Sequence, residues 1–406
     1  MTQIYNFYLE LSSFYCIFAT DMKKICFLVD SIFSIGGIQR VTAVLAKSLA
    51  KDYDVTIVTR ESPSKENTSL YQLNESNIHF IFFHYPKTNL IKSVFCKIYS
   101  ALYKNVLPKT RVTSDWYAHS SFPSEKRKAL ATVLMKGSYD AIIGVHAPLA
   151  IRLAACKPLL GNSKVIGWIH NTYQALFEGD FYFIGSELRK HYEYQLEKLD
   201  KTIVLSRYDT HKYPFPTEVI YNPQPLIIDQ IANGTSKTFL SVGRFSFYHK
   251  GTDILIKAFR IFAEHNKEWS LEIVGEGGDE PYYHDMIQEY GLQDRISICP
   301  STNHIQDYYS HAQVYVLSSR WEGFGLVLLE AMAHGLPVIS SDIPTSKEIM
   351  GDFSLYFKNE SIKQLAQRLE DATHIDWQQK SKEAIEIAKR FDIDRITQQW
   401  KQLIED

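Results

Sequence analysis

Cysteine is scarce in this chain and follows no pattern. Five residues, Cys16, Cys26, Cys96, Cys156 and Cys299, are spread through 406 positions without a C-x-x-C. A dispersed, odd set builds neither a disulfide framework nor a structural zinc site, and it suits a reducing compartment. An excess of one charge is also missing, since 44 Lys and Arg stand against 46 Asp and Glu. The resulting charge of −2 argues against a dedicated nucleic-acid binder. The dinucleotide fingerprint G-x-G-x-x-G does not follow the first strand. Residues 1–21 carry Tyr, Phe and Leu, but Glu10 interrupts them and no basic segment leads them. They read neither as a signal peptide nor as a membrane span. We expect an N-terminal extension there, disordered or weakly packed, with the fold beginning at Met22-Lys23-Lys24-Ile25.

A 45% hydrophobic fraction over this length is enough for two ordinary globular cores. Residues 24–29 form an apolar strand, followed by Gly36-Gly37. A helix over 38–50 places Val41, Val44, Leu45 and Leu49 on one face, and a strand follows at 55–58. Further strands are expected at 78–83, 139–145, 164–169 and 199–205, the last closing this half. Two breaks then occur, Tyr221-Asn222-Pro223-Gln224-Pro225 and Asn233-Gly234-Thr235-Ser236. Beyond them the pattern restarts at 238–242, with strands at 271–274, 296–299, 314–317 and from 338. Alternating strands and helices on both sides of a break imply an α/β protein with two Rossmann-like parallel-sheet domains. We place them at 22–222 and 235–385, with helices over 386–406 packing back toward the first, Trp400 among their contacts.

The most informative stretch runs from Arg320 to Asp342. From Leu326 to Ala333 every residue but Glu330 is apolar, so the helix should be buried all round. An unpaired carboxylate there would cost several kcal/mol, so Glu330 needs fixed partners. Glu322 lies on the glycine-bracketed loop Gly323-Phe324-Gly325 at the start of the same helix. The helix N-terminus, with its free N–H groups, suits an anion between the two acids.

The string E-G-F-G-L-x-L-L-E-A-M-A-x-G-x-P-V, from Glu322 to Val338, resembles the signature of retaining glycosyltransferases of family four. That resemblance implies the GT-B fold, two Rossmann-like domains facing across a cleft. It implies that Glu322 contacts the donor sugar and Glu330 the ribose of its nucleotide. Gly243-Arg244, followed by Lys250-Gly251, is similar to the family's V-G-R-x(5)-K-G, whose two cations grip the donor diphosphate. Gly36-Gly37-Ile38-Gln39-Arg40-Val41 is similar to its G-G-x-x-R-V, and Gly275 falls where it carries G-x-G near the nucleotide. His170, in Trp168-Ile169-His170-Asn171, matches the histidine that touches the donor sugar; His146 leaves another strand at the same edge. Gly323, Phe324, Gly325 and Leu326 complete the donor-binding set that the resemblance implies.

The expected activity is therefore hexosyl transfer from a nucleotide-sugar co-substrate, UDP favoured and GDP-mannose open, with retention. The acceptor would be a saccharide or lipid-linked saccharide of the cell envelope. No cofactor and no metal are expected, since Asp52-Tyr53-Asp54 precedes a strand and Asp392-Ile393-Asp394 reads as a helix cap, leaving no D-x-D. Two rivals share the architecture: a nucleotide-sugar 2-epimerase, and a non-catalytic sugar-nucleotide-binding partner subunit. A basic segment over 87–128 repeats Leu90, Ile91, Val94, Phe95, Ile98 and Leu102 at helical spacing among lysines. It fits either a helix packed on its own domain or a peripheral contact with an anionic membrane. The expected location is the cytoplasm, with the inner face of the membrane as an option.

Overall fold

The computed structural model describes residues 22–178 and 183–406; the extension expected over 1–21 lies outside the described residues. Among the described residues, thirteen strands form two sheets. The first contains β1 (Lys24–Val29), β2 (Asp54–Thr59), β3 (Ile78–Phe82), β4 (Ala141–Val145), β5 (Lys164–Trp168), β6 (Lys201–Val204) and β7 (Glu218–Val219). The second contains β8 (Thr238–Val242), β9 (Ser270–Val274), β10 (Ile296–Cys299), β11 (Val314–Leu317), β12 (Val338–Ser341) and β13 (Leu355–Phe357). All neighbouring pairs run parallel.

Strand order in the first sheet is β3-β2-β1-β4-β5-β6-β7, and in the second β10-β9-β8-β11-β12-β13. Each is doubly wound, so each reverses direction of winding once, between β1 and β4 and between β8 and β11. Loops diverge at such a point and leave a crevice at the carboxyl ends of the strands. The glycine pair after β1 and His146 after β4 therefore share one crevice. Gly243-Arg244 after β8 and the Ser318–Gly325 loop after β11 share the other.

Parallel strands covered by helices on both faces read as continuous apolar runs. The five residues Ala141–Val145 are all buried, as are the four of Val314–Leu317. Two strands lie beyond the sequence reading. β7 is only two residues long, and β13 is a three-residue edge strand whose Leu355 and Tyr356 are half-buried, so neither carries a buried run.

The carboxyl edges of the sheets face each other. A Cβ added to Gly323 would lie 2.3 Å from the carbonyl oxygen of His170, so only glycine permits this approach of the two loops. The last helix, Ile393–Glu405, crosses back onto the first half. Trp400 meets Trp168 edge-on at 5.0 Å, and Thr397 donates to Ser48 at 2.9 Å.

Candidate functional site

The loop after β11 is stitched to its surroundings before it reaches the helix Leu326–Ala333. Ser318 Oγ donates to the Lys250 carbonyl at 2.9 Å, and Ser341 Oγ to the Ser319 carbonyl at 2.6 Å. Arg320 makes a two-pronged bond to Asp253 (3.0 and 3.2 Å). Gly325 takes a left-handed conformation (φ 83°), which turns the chain into the helix at little steric cost for glycine.

These braces hold Glu322 against Lys250. Glu322 is buried, and its Oε1 accepts from Lys250 Nζ at 2.6 Å and from Ser319 Oγ at 2.5 Å. Burial alone would raise the Glu322 pKa, but Lys250 and His249 outweigh it and hold the group well below the usual carboxylate range. His249 Nε2 stands 3.8 Å from Glu322 Oε2, beyond hydrogen-bond reach. Its ring stacks on Trp321 at 3.7 Å, and Phe183 of the first domain meets Trp321 edge-on at 5.6 Å.

Arg244 differs from Lys250. It is exposed, and it makes no hydrogen bond or ion pair with any described residue. Gly243 lies under the Lys250 side chain, 3.2 Å from an added Cβ to Cε, so the Arg244 backbone and the Lys250 stem share one wall. The Gly275 N–H donates to the Cys299 carbonyl and the Gly243 N–H to the Val274 carbonyl, which draws the ends of β8, β9 and β10 together.

Glu330 is buried one helical stretch further in. Its Oε2 accepts from the Tyr309 hydroxyl at 2.8 Å and its Oε1 from Arg40 Nη1 at 2.8 Å. Arg40 belongs to the first domain, on the helix Gly37–Leu49. The charged partner of this carboxylate thus comes from across the cleft, and its neutral partner Tyr309 from its own core. Burial pulls the Arg40 pKa down, and Glu330 together with Tyr71 and Tyr309 more than offsets that. Burial, then Glu330, keeps the Tyr309 hydroxyl protonated far above its ordinary range.

On the facing wall, His170 is buried and its Nε2 has no hydrogen-bond partner among the described residues. Burial first, and then His146, push its pKa well below the ordinary histidine value, so it stands neutral. His146 Nδ1 accepts from the Ala147 N–H at 2.8 Å, which makes it the cap of its own helix. Gly36 N–H donates to the Tyr71 hydroxyl at 3.0 Å, and Gly37 faces Leu326 across the cleft.

The structure therefore brings Arg244, Lys250, Glu322, Gly323, Gly325, Leu326, Gly37 and His170 to one cleft. The Phe324 ring turns away from it. That ring is buried between Tyr221 (5.9 Å), in the break after the first domain, and Phe391 (5.8 Å), just before the last helix. Ser319, His249, Tyr309 and Arg40 enter the site without a role in the sequence reading. Only Arg40 had a visible marker, its place in the Gly36–Val41 string. Among the described residues no three His, Cys, Asp or Glu side chains gather as a metal-binding set.

Residues 225–391 match the family model of glycosyl transferases group 1. An uncharacterized glycosyltransferase of Haemophilus influenzae is 27% identical over 399 residues, covering 94% of this chain and all of that one. The amylovoran biosynthesis glycosyltransferase AmsD of Erwinia amylovora is 25% identical, covering 82% of this chain and 84% of its own. In the crystal, Anabaena Alr3699/HepE in complex with UDP and glucose superposes with a TM-score of 0.71 at 18% identity, covering 94% and 99% of the two chains. The second half, over residues 225–391, thus matches the group 1 glycosyltransferases, and the two facing doubly wound sheets have the GT-B fold.

Proposed function

We propose that this protein moves a hexosyl group from a nucleoside diphosphate sugar, UDP-linked by preference, to a saccharide or lipid-linked saccharide, with retention. The observation that carries this reading is the wall formed by Lys250, set on Glu322, beside an Arg244 that no described residue pairs. Cleaving the bond from the anomeric carbon to the phosphate oxygen leaves negative charge on the diphosphate. Cations fixed at that point stabilise the transition state more than the ground state. Arg binds two phosphate oxygens at once and Lys acts as a point charge, so the two have complementary uses.

The acceptor hydroxyl attacks the anomeric carbon from the face that the phosphate leaves. Its proton passes to the departing phosphate oxygen, so no enzyme base and no covalent intermediate is needed. Glu322, held ionised, accepts from sugar hydroxyls and orients the ring. His170, neutral and with a buried Nε2 that no described residue partners, faces the sugar from the opposite wall. Glu330 accepts from the ribose. With guanidinium, ammonium and helix N–H groups at the phosphates, we read the reaction as independent of a metal.

The UDP preference is supported by the Anabaena protein, whose structure holds UDP and glucose. A role in envelope polysaccharide synthesis is supported by AmsD, named for amylovoran biosynthesis, and by the Rhizobium meliloti lipopolysaccharide core mannosyltransferase LpsB, 27% identical over 154 residues. Thermal-shift screening against UDP- and GDP-sugars identifies the donor, and NMR of the product fixes its anomeric configuration. Inversion, or loss of turnover in EDTA, contradicts the mechanism. Epimerised sugar from donor alone favours the epimerase rival, and absence of turnover with every donor–acceptor pair favours the binding subunit.

The outer face of the helix Leu90–Asn105 supports a peripheral membrane contact. Leu90 is 80% exposed, Ile91 and Phe95 68%, and Ile98 52%, with no described residue covering them. Lys87 and Lys97 are exposed at its margin, which matches an anionic lipid surface. No described helix is long and apolar enough to cross a membrane, so the contact would lie in the interface. The helix follows β3, on the carboxyl edge that faces the cleft, where a lipid-linked acceptor would arrive.

A further inference from the structure

Glu330 and Arg40 sit on different domains, yet each is the other's charge partner. Glu330 is 3% exposed, and the distance to Arg40 Nη1 is 2.8 Å. An ionised carboxylate has about four lone-pair positions. Tyr309 and Arg40 occupy one on each oxygen, so acceptor capacity remains on both. Neither partner has to leave for a further donor to bind.

Arg40 is itself held in place. Its backbone N–H donates to the Gly36 carbonyl at 2.9 Å, within the first turn of its helix. The Tyr71 hydroxyl ties down the same turn, receiving the Gly36 N–H at 3.0 Å and donating to the Ser34 carbonyl at 3.0 Å. Tyr71 and Gln72 adopt left-handed backbone angles (φ 60° and 55°), which non-glycine residues seldom take. The surrounding loop thus holds a disfavoured conformation that presents the Tyr71 hydroxyl to the glycine pair. Beside the ion pair opens a cavity of about 1160 Å³ lined by Arg40, Tyr71, Gln224, Asn303, Gln306 and Ala333. Residues of both domains wall it, but Glu330, Glu322, Lys250 and Arg244 do not line it, so it adjoins the ribose seat and is not that seat.

We infer that Arg40 is a positioning residue for the donor nucleotide, which holds the Glu330 carboxylate in the geometry that accepts the ribose hydroxyls. The ribose seat is then complete only when the two domains are together. Nucleotide binding in the second domain and the closed arrangement of the cleft become one linked equilibrium, because both depend on the same ion pair. Arg40 touches no reacting atom in this scheme. It acts through Glu330, and the inference rests on the ribose reading of Glu330 given above.

The test is calorimetric titration of the full chain with UDP, 2′,3′-dideoxy-UDP and inorganic pyrophosphate. Wild type should bind UDP at least tenfold more tightly than the dideoxy analogue. In Arg40→Ala that ratio should fall to near one, while pyrophosphate affinity stays within twofold. Arg40→Lys keeps a cation on the same helix and should show an intermediate ratio, whether or not the alanine variant folds well. If wild type does not distinguish the two nucleotides, the ribose role of Glu330 itself is wrong. An unchanged ratio in both variants, with wild type discriminating, overturns the role of Arg40 alone. Tighter UDP binding by Arg40→Ala would make Arg40 a competitor of the ribose and overturn it too. A parallel fall in pyrophosphate affinity would reduce its role to general structure.

Discussion

The two domains repeat one doubly wound design, but they finish their crevices differently. In the second, Glu322, Lys250 and Ser319 satisfy one another before any ligand arrives, and serine bonds and the Arg320–Asp253 pair hold the loop still. In the first, His170 shows a ring nitrogen that no described residue partners, and Arg40 finds its carboxylate partner across the cleft. The difference teaches that one domain is a preorganised seat for a charged group. The other is a wall whose polar groups are completed by what binds and by the domain opposite. Preorganised charge is what a leaving diphosphate requires, since it acts without reorganisation at the moment of bond cleavage.

The strongest way to break this comparison is to remove the second domain's cation. Lys250→Ala should lower transfer by a factor of roughly a hundred or more, a scale typical of lost electrostatic stabilisation. It should also destabilise the fold by about 3 kcal/mol, because a buried Glu322 then loses its cation. Adding Glu322→Gln should restore most of that stability in a thermal unfolding experiment while activity stays lost. If the double variant regains activity, the cation serves only the carboxylate.

Acid should separate the domains next. His191 is buried, accepts or donates at Ser114 Oγ (2.9 Å), and has Asp115 and Lys198 nearby. Burial first pushes its pKa down to about 4. Between that value and the ordinary 6.5 the unfolded chain binds a proton that the folded one refuses, so stability falls as pH falls through this window. The loss amounts to about 3 kcal/mol at about 1.4 kcal/mol per pH unit. Glu322 behaves differently. Its lowered pKa leaves its contribution intact above the ordinary carboxylate range, and lost only as pH drops below it. Unfolding midpoints measured from pH 7 to 4 should therefore decline, and His191→Gln should flatten that decline. A slope unchanged by the substitution would reassign it to other groups.

A smaller effect is expected from the outer helix of the first domain. Phe95→Ser with Ile98→Ser should weaken flotation with vesicles of phosphatidylcholine and phosphatidylglycerol several-fold, without changing turnover on a soluble acceptor. Equal binding to phosphatidylcholine alone would remove the electrostatic part of the argument. Covering of this face by a second copy of the chain would appear instead as a change in oligomeric state.

Much of this was legible in the sequence because buried parallel strands are short apolar runs and their loops are marked by glycine. The Glu322–Pro337 stretch disclosed both acids, since a lone carboxylate in an apolar helix demands a partner. Which partner could not be read. Arg40 precedes Glu330 by 290 residues, and only the facing of two sheets brings them together. Tyr309 looks like any aromatic of a short amphipathic helix, and Ser319 like any loop serine. The Phe324 ring lay in a donor-binding string, but its direction depends on Tyr221, in the break between the domains, and on Phe391, just before the last helix. The helix at 90–105 showed its periodicity, while the exposure of its apolar face depends on where neighbouring helices lie. The strands β7 and β13 are too short to carry a pattern.

The central claim is that the second domain holds the diphosphate through Arg244 and Lys250. Comparing UDP with uridine by calorimetry, in wild type and in Arg244→Ala with Lys250→Gln, tests it most directly. The account predicts a preference for UDP of a hundredfold or more in wild type, collapsing to within a few-fold in the double variant while uridine affinity is retained. An undiminished preference in the double variant would contradict it, and would move the diphosphate elsewhere.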